Sequence, residues 1–169
     1  MSFSLKVYAI EIKSIAALYA SNKLELADKI IKKYADEIED INDWTEAEIS
    51  AEKALYEIFE ANCSSTNGEI YARVIELICK EMGEELPNDE WNELSMNWIM
   101  DINLEASLPI ASLPIPADYP YVLTISNKAA DEFITNFRLL DYETRAMQEA
   151  ELWIQKLVHD KKDLMLFFY

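Results

Sequence analysis

Carboxylates are the reactive groups this chain holds in surplus, with 32 Asp and Glu against 15 Lys and Arg in 169 residues. Pairs such as Glu57 with Glu60, or Glu90 with Glu93, have a spacing that puts both acids on one face of a helix, where two carboxyls can share a proton or hold a divalent cation. Glycosidase-like hydrolysis would need two of them to converge in a cleft. The stretch Asp36 to Asp43 (DEIEDIND) lacks the glycine and the ligand spacing of a calcium loop, and no Glu-x-x-His occurs for a di-iron bundle. Solvated helix faces account for these charges more simply.

The other common chemistries find little to work with. Glycine occurs only at positions 68 and 83, so no Gly-rich loop can bring backbone amides onto a phosphate, and P-loop and dinucleotide fingerprints are absent. His159 is the single histidine, which excludes multi-histidine zinc sites; near the end of a helix it reads as a complement to the helix dipole. Cys63 and Cys79 have no second pair nearby, and read as reduced structural thiols of a cytoplasmic protein. No cofactor and no metal are expected.

What remains is charge, and it is localised. From Tyr34 to Ser126 three Lys or Arg (Lys53, Arg73, Lys80) face 21 Asp or Glu, a balance of −18 within a chain whose net charge is −17. Such a field attracts cations and basic protein surfaces, and repels nucleic-acid phosphate and anionic membrane. Trp91, Trp98 and Trp153 read as core anchors, with too few cations between them for a nucleic-acid stacking platform. Trp44 differs in position, between Asp43 and Glu46: it reads either as an anchor for a partner or as a hydrophobic staple against Ile49. The candidate partner-binding residues are therefore Trp44, Glu46, Glu48, Glu52, Glu85 and Glu93.

The elements that must position these residues follow from periodicity. Phe3, Leu5, Val7 and Ala9 alternate with polar residues up to Ile12, the pattern of a half-buried strand, and a short helix is expected over Lys13 to Ala20. Leu24 to Ile41 reads as one amphipathic helix. Thr45 with Glu48, and Thr66 with Glu69, have capping-box spacing and predict two further helices, the first ending near Asn62 and the second closed by Gly83 as a left-handed C-cap. Asn88 can cap a helix carrying Trp91, Leu94, Trp98, Ile99 and Ile102. Four prolines between Leu108 and Pro120 exclude a helix there. Tyr121 to Ile125 predicts a strand, Ser126 an N-cap, and Ala130 to Leu140 and Tyr142 to His159 two helices.

Leu164 to Tyr169 is apolar without interruption, so it is placed as a central strand pairing with the N-terminal strand and with Tyr121 to Ile125. The expected fold is α+β in a single domain, residues 1–169: a small, mostly antiparallel sheet packed against about six helices. No membrane span and no signal peptide are read.

The start SLKVYAI, the central LPNDEW, the segment LPIPADYP followed by a short strand, and the ending LMLFFY together resemble a family of small bacterial proteins known only as a domain of unknown function. The resemblance implies a bacterial source and a single domain, and it carries no catalytic residues. The functional expectation is a non-enzymatic acidic binding protein, in its sharpest form an immunity-type antagonist of a basic partner such as a nuclease toxin. The alternatives are a carboxylate-based hydrolase, with or without a divalent metal, and a homo-oligomeric structural protein built on the proline-rich segment.

Overall fold

The structure, a computed structural model, describes residues 4–88, 107–131, 135 and 144–169. Strands β1 (Leu5–Ile10), β2 (Glu84–Leu86), β3 (Tyr121–Ile125) and β4 (Asp163–Phe168) form one antiparallel sheet in the order β2-β1-β4-β3. The apolar C-terminal run is the central strand expected of it. Its Phe168 pairs with Leu5 on one side and Tyr121 on the other, and every residue of β4 is buried.

Six α-helices lie among the described residues: α1 (Ile12–Ala16), α2 (Leu24–Lys33), α3 (Ala35–Trp44), α4 (Ala51–Glu60), α5 (Gly68–Met82) and α6 (Thr144–Val158). The fold is α+β, as expected. Residues of α2 to α5 share a continuous apolar cluster with Tyr8, Ile10, Val122, Met165 and Phe167, one face of the sheet. The alternate residues, Leu5, Val7, Leu123, Leu164 and Leu166, are buried too, and α6 contacts β1 and β4, with Trp153 and Leu157 inaccessible. The alternation in β1 therefore does not mark a solvent face. Tyr8 is buried because its hydroxyl finds a carboxylate on α5.

Several local expectations are overturned by side-chain chemistry. The predicted helix Leu24 to Ile41 is two helices, broken at Tyr34 (φ −115°, ψ 39°). Its ring is buried, with the ammonium groups of Lys33 and Lys80 5.0 and 5.1 Å from its centroid, and its hydroxyl donates to Glu81. Thr45 does not open a helix; it closes α3, with its amide and hydroxyl both donating to Ile41 O at 3.0 and 2.8 Å. The cap of α4 is Ser50, whose hydroxyl accepts from the Lys53 amide, and α4 ends near Asn62, at a left-handed Ala61.

Thr66 likewise is not a cap, because α5 begins at Gly68 after Asn67. Gly83 is extended rather than left-handed (φ −108°, ψ −166°); a Cβ there would lie 3.0 Å from Ala9 O and 2.8 Å from Cys79 O. Close approach of the Cys79 carbonyl and of β1, not turn geometry, requires that glycine. Gly68 works the same way, with the backbone of Pro114 and Ile115 passing within 3.0 Å of where its Cβ would be. The proline-rich segment is irregular as expected and covers the start of α5.

The predicted short helix is confined to α1, and Ser126 caps a 3-10 turn, Asn127–Ala129, by accepting from the Lys128 amide. The helix expected after Asn88 and most of that expected over Ala130 to Leu140 lie outside the described residues. No helix among the described residues is long and apolar enough to cross a membrane.

Candidate partner-binding surface

Between Lys33 and Lys53 the chain carries eight carboxylates and no cation. Asp36 and Glu37 suit the positive N-terminal end of α3, but Asp40 and Asp43 fall toward its negative C-terminal end, where the last turn holds no basic residue. Glu37 is paired with Lys80 at 2.6 Å, which holds its carboxyl below the usual range. Asp36, Glu39, Asp40, Asp43, Glu46 and Glu48 have no ion pair with any described residue. Trp44 ends the helix with 80% of its surface exposed, so it is not the staple on Ile49; Ile49 packs on the core instead.

The segment 45–50 is irregular, with a bend at Glu48 and Ile49, and its burial alternates. Ala47 and Ile49 turn toward the core while Glu46 and Glu48 are exposed. Asn42 fixes the ends of this segment: its carboxamide oxygen accepts from the Ala51 amide at 2.7 Å and its nitrogen donates to Glu52 Oε2 at 3.2 Å. Burial raises the Glu52 pKa, but its own backbone amide, the Ser50 hydroxyl and Asn42 together hold it below the usual value. Glu52 is thus half-buried and committed to the α3–α4 junction, not free for a partner.

Glu46 and Glu48 form one side of a cleft of about 230 Å³, and Thr66, Asn67, Glu69 and Ile70 at the start of α5 form the other. Glu69 Oε1 accepts from Arg73 Nε and Nη2 at 3.1 and 3.0 Å. The loop leading into α5 is pinned by Tyr71, whose hydroxyl donates to the buried Glu57 and accepts from the Ser64 amide at 2.8 Å. Beside it the Cys63 thiol is pushed up to about 11 by burial and by the Glu57 charge, so it is protonated and unreactive at neutral pH. Cys63 and Cys79 are both free.

Several acids elsewhere are engaged. Glu76 accepts from the hydroxyls of Tyr8 (3.0 Å) and Tyr169, and burial raises its pKa. Glu81 accepts from Lys29, Lys33 and Tyr34, which bring it down to about 2. Asp163, buried at the start of β4, accepts from the Ile12 amide at 3.0 Å and the Asn127 amide at 2.8 Å. Glu85 is exposed on β2 and paired with Lys6 at 3.3 Å. Glu93 lies outside the described residues, as do Glu90, Trp91 and Trp98. Glu57 and Glu60 do not act as a pair: Glu57 is buried against Tyr71 and Glu60 is exposed. His159 is exposed just past the end of α6.

No three His, Cys, Asp or Glu among the described residues are placed to hold a metal ion. Of the six residues singled out from the sequence, the structure puts Glu46 and Glu48 on one cleft, leaves Trp44 exposed at the end of α3 just before them, ties down Glu52 and puts Glu85 on a different element, while Glu93 lies outside the described residues. Asn67 and Glu69 complete the cleft and were not singled out. Nothing local marks them, since they reach Glu46 and Glu48 only through the packing of α4 on α5.

Among curated proteins and among solved structures, nothing matches this chain. The family model of domain of unknown function DUF7691 matches residues 1–169, and the chain belongs to that family.

Proposed function

We propose that this protein is a non-enzymatic binding module whose acidic α3 surface docks a basic protein. The observation that carries the reading is Trp44, 80% exposed at the end of a helix whose last turn has an acid and no basic residue, and whose Asp40 and Asp43 have no counter-ion among the described residues. A large aromatic in water and uncompensated carboxylates at a negative helix end both work against the isolated fold. A cationic partner with an apolar contact relieves both at once. In its sharpest form the partner is a toxin such as a nuclease, and the carboxylates take the place of substrate phosphate; free thiols fit a cytoplasmic setting for that role.

The test is capture from lysate of the native cell by the wild type and by a Trp44→Ala, Glu46→Lys, Glu48→Lys variant, read by mass spectrometry. Recovery of a basic protein by the wild type, lost in the variant and lost at high salt, supports docking. Equal recovery by both, or no basic protein at all, contradicts it.

A further inference from the structure

Asn67 is buried to 6% exposure and lines the cleft, yet its carboxamide makes no cap hydrogen bond with α5 and has no partner among the described residues. A buried amide without a partner is costly, and such exceptions call for an explanation. Across the cleft stand Glu46 and Glu48, exposed and without counter-ions among the described residues, and beside it Glu69, whose Oε1 takes both Arg73 bonds and leaves Oε2 over. Asn67 Oδ1 and these carboxylates offer acceptors to an incoming donor.

The size and spacing narrow what that donor is. At about 230 Å³ the cleft is smaller than the roughly 300 to 1,000 Å³ of sites that enclose small molecules, and suits one side chain. Its three carboxylates are not placed as a group to hold a metal ion. A planar guanidinium, with five N–H donors in a rigid fork, spans separated acceptors that a compact ammonium meets less well. Trp44, two residues before Glu46, exposes an aromatic face of the kind that arginine favours.

We infer that the cleft between segment 45–50 and the start of α5 is a receptor for an arginine side chain presented by the basic partner, with Asn67, Glu46, Glu48 and the free oxygen of Glu69 as its acceptors. The inference rests on the docking reading and specifies where the partner is gripped.

It is tested on the full chain, isotopically labelled, by NMR titration with acetyl-Gly-Arg-Gly-amide and with the lysine counterpart at about 0.1 M salt, where bare long-range attraction is screened beyond about 10 Å. The arginine peptide should shift the Asn67 side-chain amide saturably and bind about tenfold more tightly than the lysine peptide, the margin expected of a bidentate contact. Asn67→Leu should weaken it about tenfold. Because Asn67 adjoins the start of α5, Glu48→Gln on the exposed side serves as a second variant with the same expectation, and Glu85→Gln should change nothing. Equal binding of the two peptides, no shift at Asn67, or unchanged affinity in both cleft variants overturns the inference. If a basic protein is still captured through Trp44 in that case, the docking reading survives without the arginine receptor; if none is, both fall.

Discussion

Two sets of carboxylates divide this molecule. On α5 and β4, Glu76, Glu81 and Asp163 are each held by two or more donors from distant parts of the chain. Along α3 and the segment after it, Asp36, Glu39, Asp40, Asp43, Glu46 and Glu48 have no cation among the described residues, and Trp44 stands exposed among them. The same functional group thus does two jobs. Where it is enclosed it joins elements; where it is bare it costs the fold a little and is available to something else.

The enclosed set should show the largest effects. Asp163→Ala leaves the Ile12 and Asn127 amides without their acceptor at the junction of α1, the 3-10 turn and β4, and should cost about 3 kcal/mol in urea denaturation. A loss under about 0.5 kcal/mol, the range of ordinary surface substitutions, would mean that water replaces the carboxylate and that the enclosed set is not distinct.

The two α5 acids should separate by pH. Glu81 sits at about 2, below its usual 4.5, so its contribution is complete above about 4.5 and is lost as pH falls toward 2. Glu76 is raised by burial, so its contribution has the opposite sign: present at low pH and lost as pH rises through its raised value. Stability measured from pH 2 to pH 8 should therefore show a shallower acid-side decline in Glu81→Gln, with the remainder from Glu37 and Glu52, and a shallower high-side decline in Glu76→Gln. Identical profiles in wild type and both variants would contradict these assignments.

How far this division was legible in the sequence depends on range. The central place of β4 could be read from Leu164 to Phe168 because five adjacent apolar side chains need cover on both faces. β2 could not, because Glu84 and Glu85 are exposed acids in a strand of three residues that exists only by pairing with β1. The break at Tyr34 carries no Gly or Pro; it is set by Lys80 and Glu81 on α5. The capping boxes at Thr45 and Thr66 have the right spacing, but Asn42 reaching across to Ala51 goes with a cap at Ser50 and a start of α4 at Ala51, and α5 starts at Gly68. In the site, Trp44, Glu46 and Glu48 are neighbours in sequence and could be found, whereas Asn67 and Glu69 come from beyond α4.

The bare set should respond weakly, and in the other direction. Asp40→Lys and Asp43→Lys each put a cation near the C-terminal end of α3, and should stabilise the protein by about 0.5 kcal/mol apiece, less at high salt. Thermal melts at low and moderate ionic strength measure this. Destabilisation by either change would show that these acids have partners after all.

The central claim is that location, and not total charge, makes the α3 surface functional. The direct measurement is the association rate of the captured basic protein with wild type, with Trp44→Ala/Glu46→Lys/Glu48→Lys, and with a control carrying Glu84→Lys and Glu85→Lys on β2, which changes net charge by the same amount. The account predicts an on-rate that falls about tenfold or more in the α3 variant and steeply with salt in wild type, while the β2 control stays close to wild type. Equal losses in the two variants would contradict it, and would reduce the acidic surface to a diffuse field with no docking site.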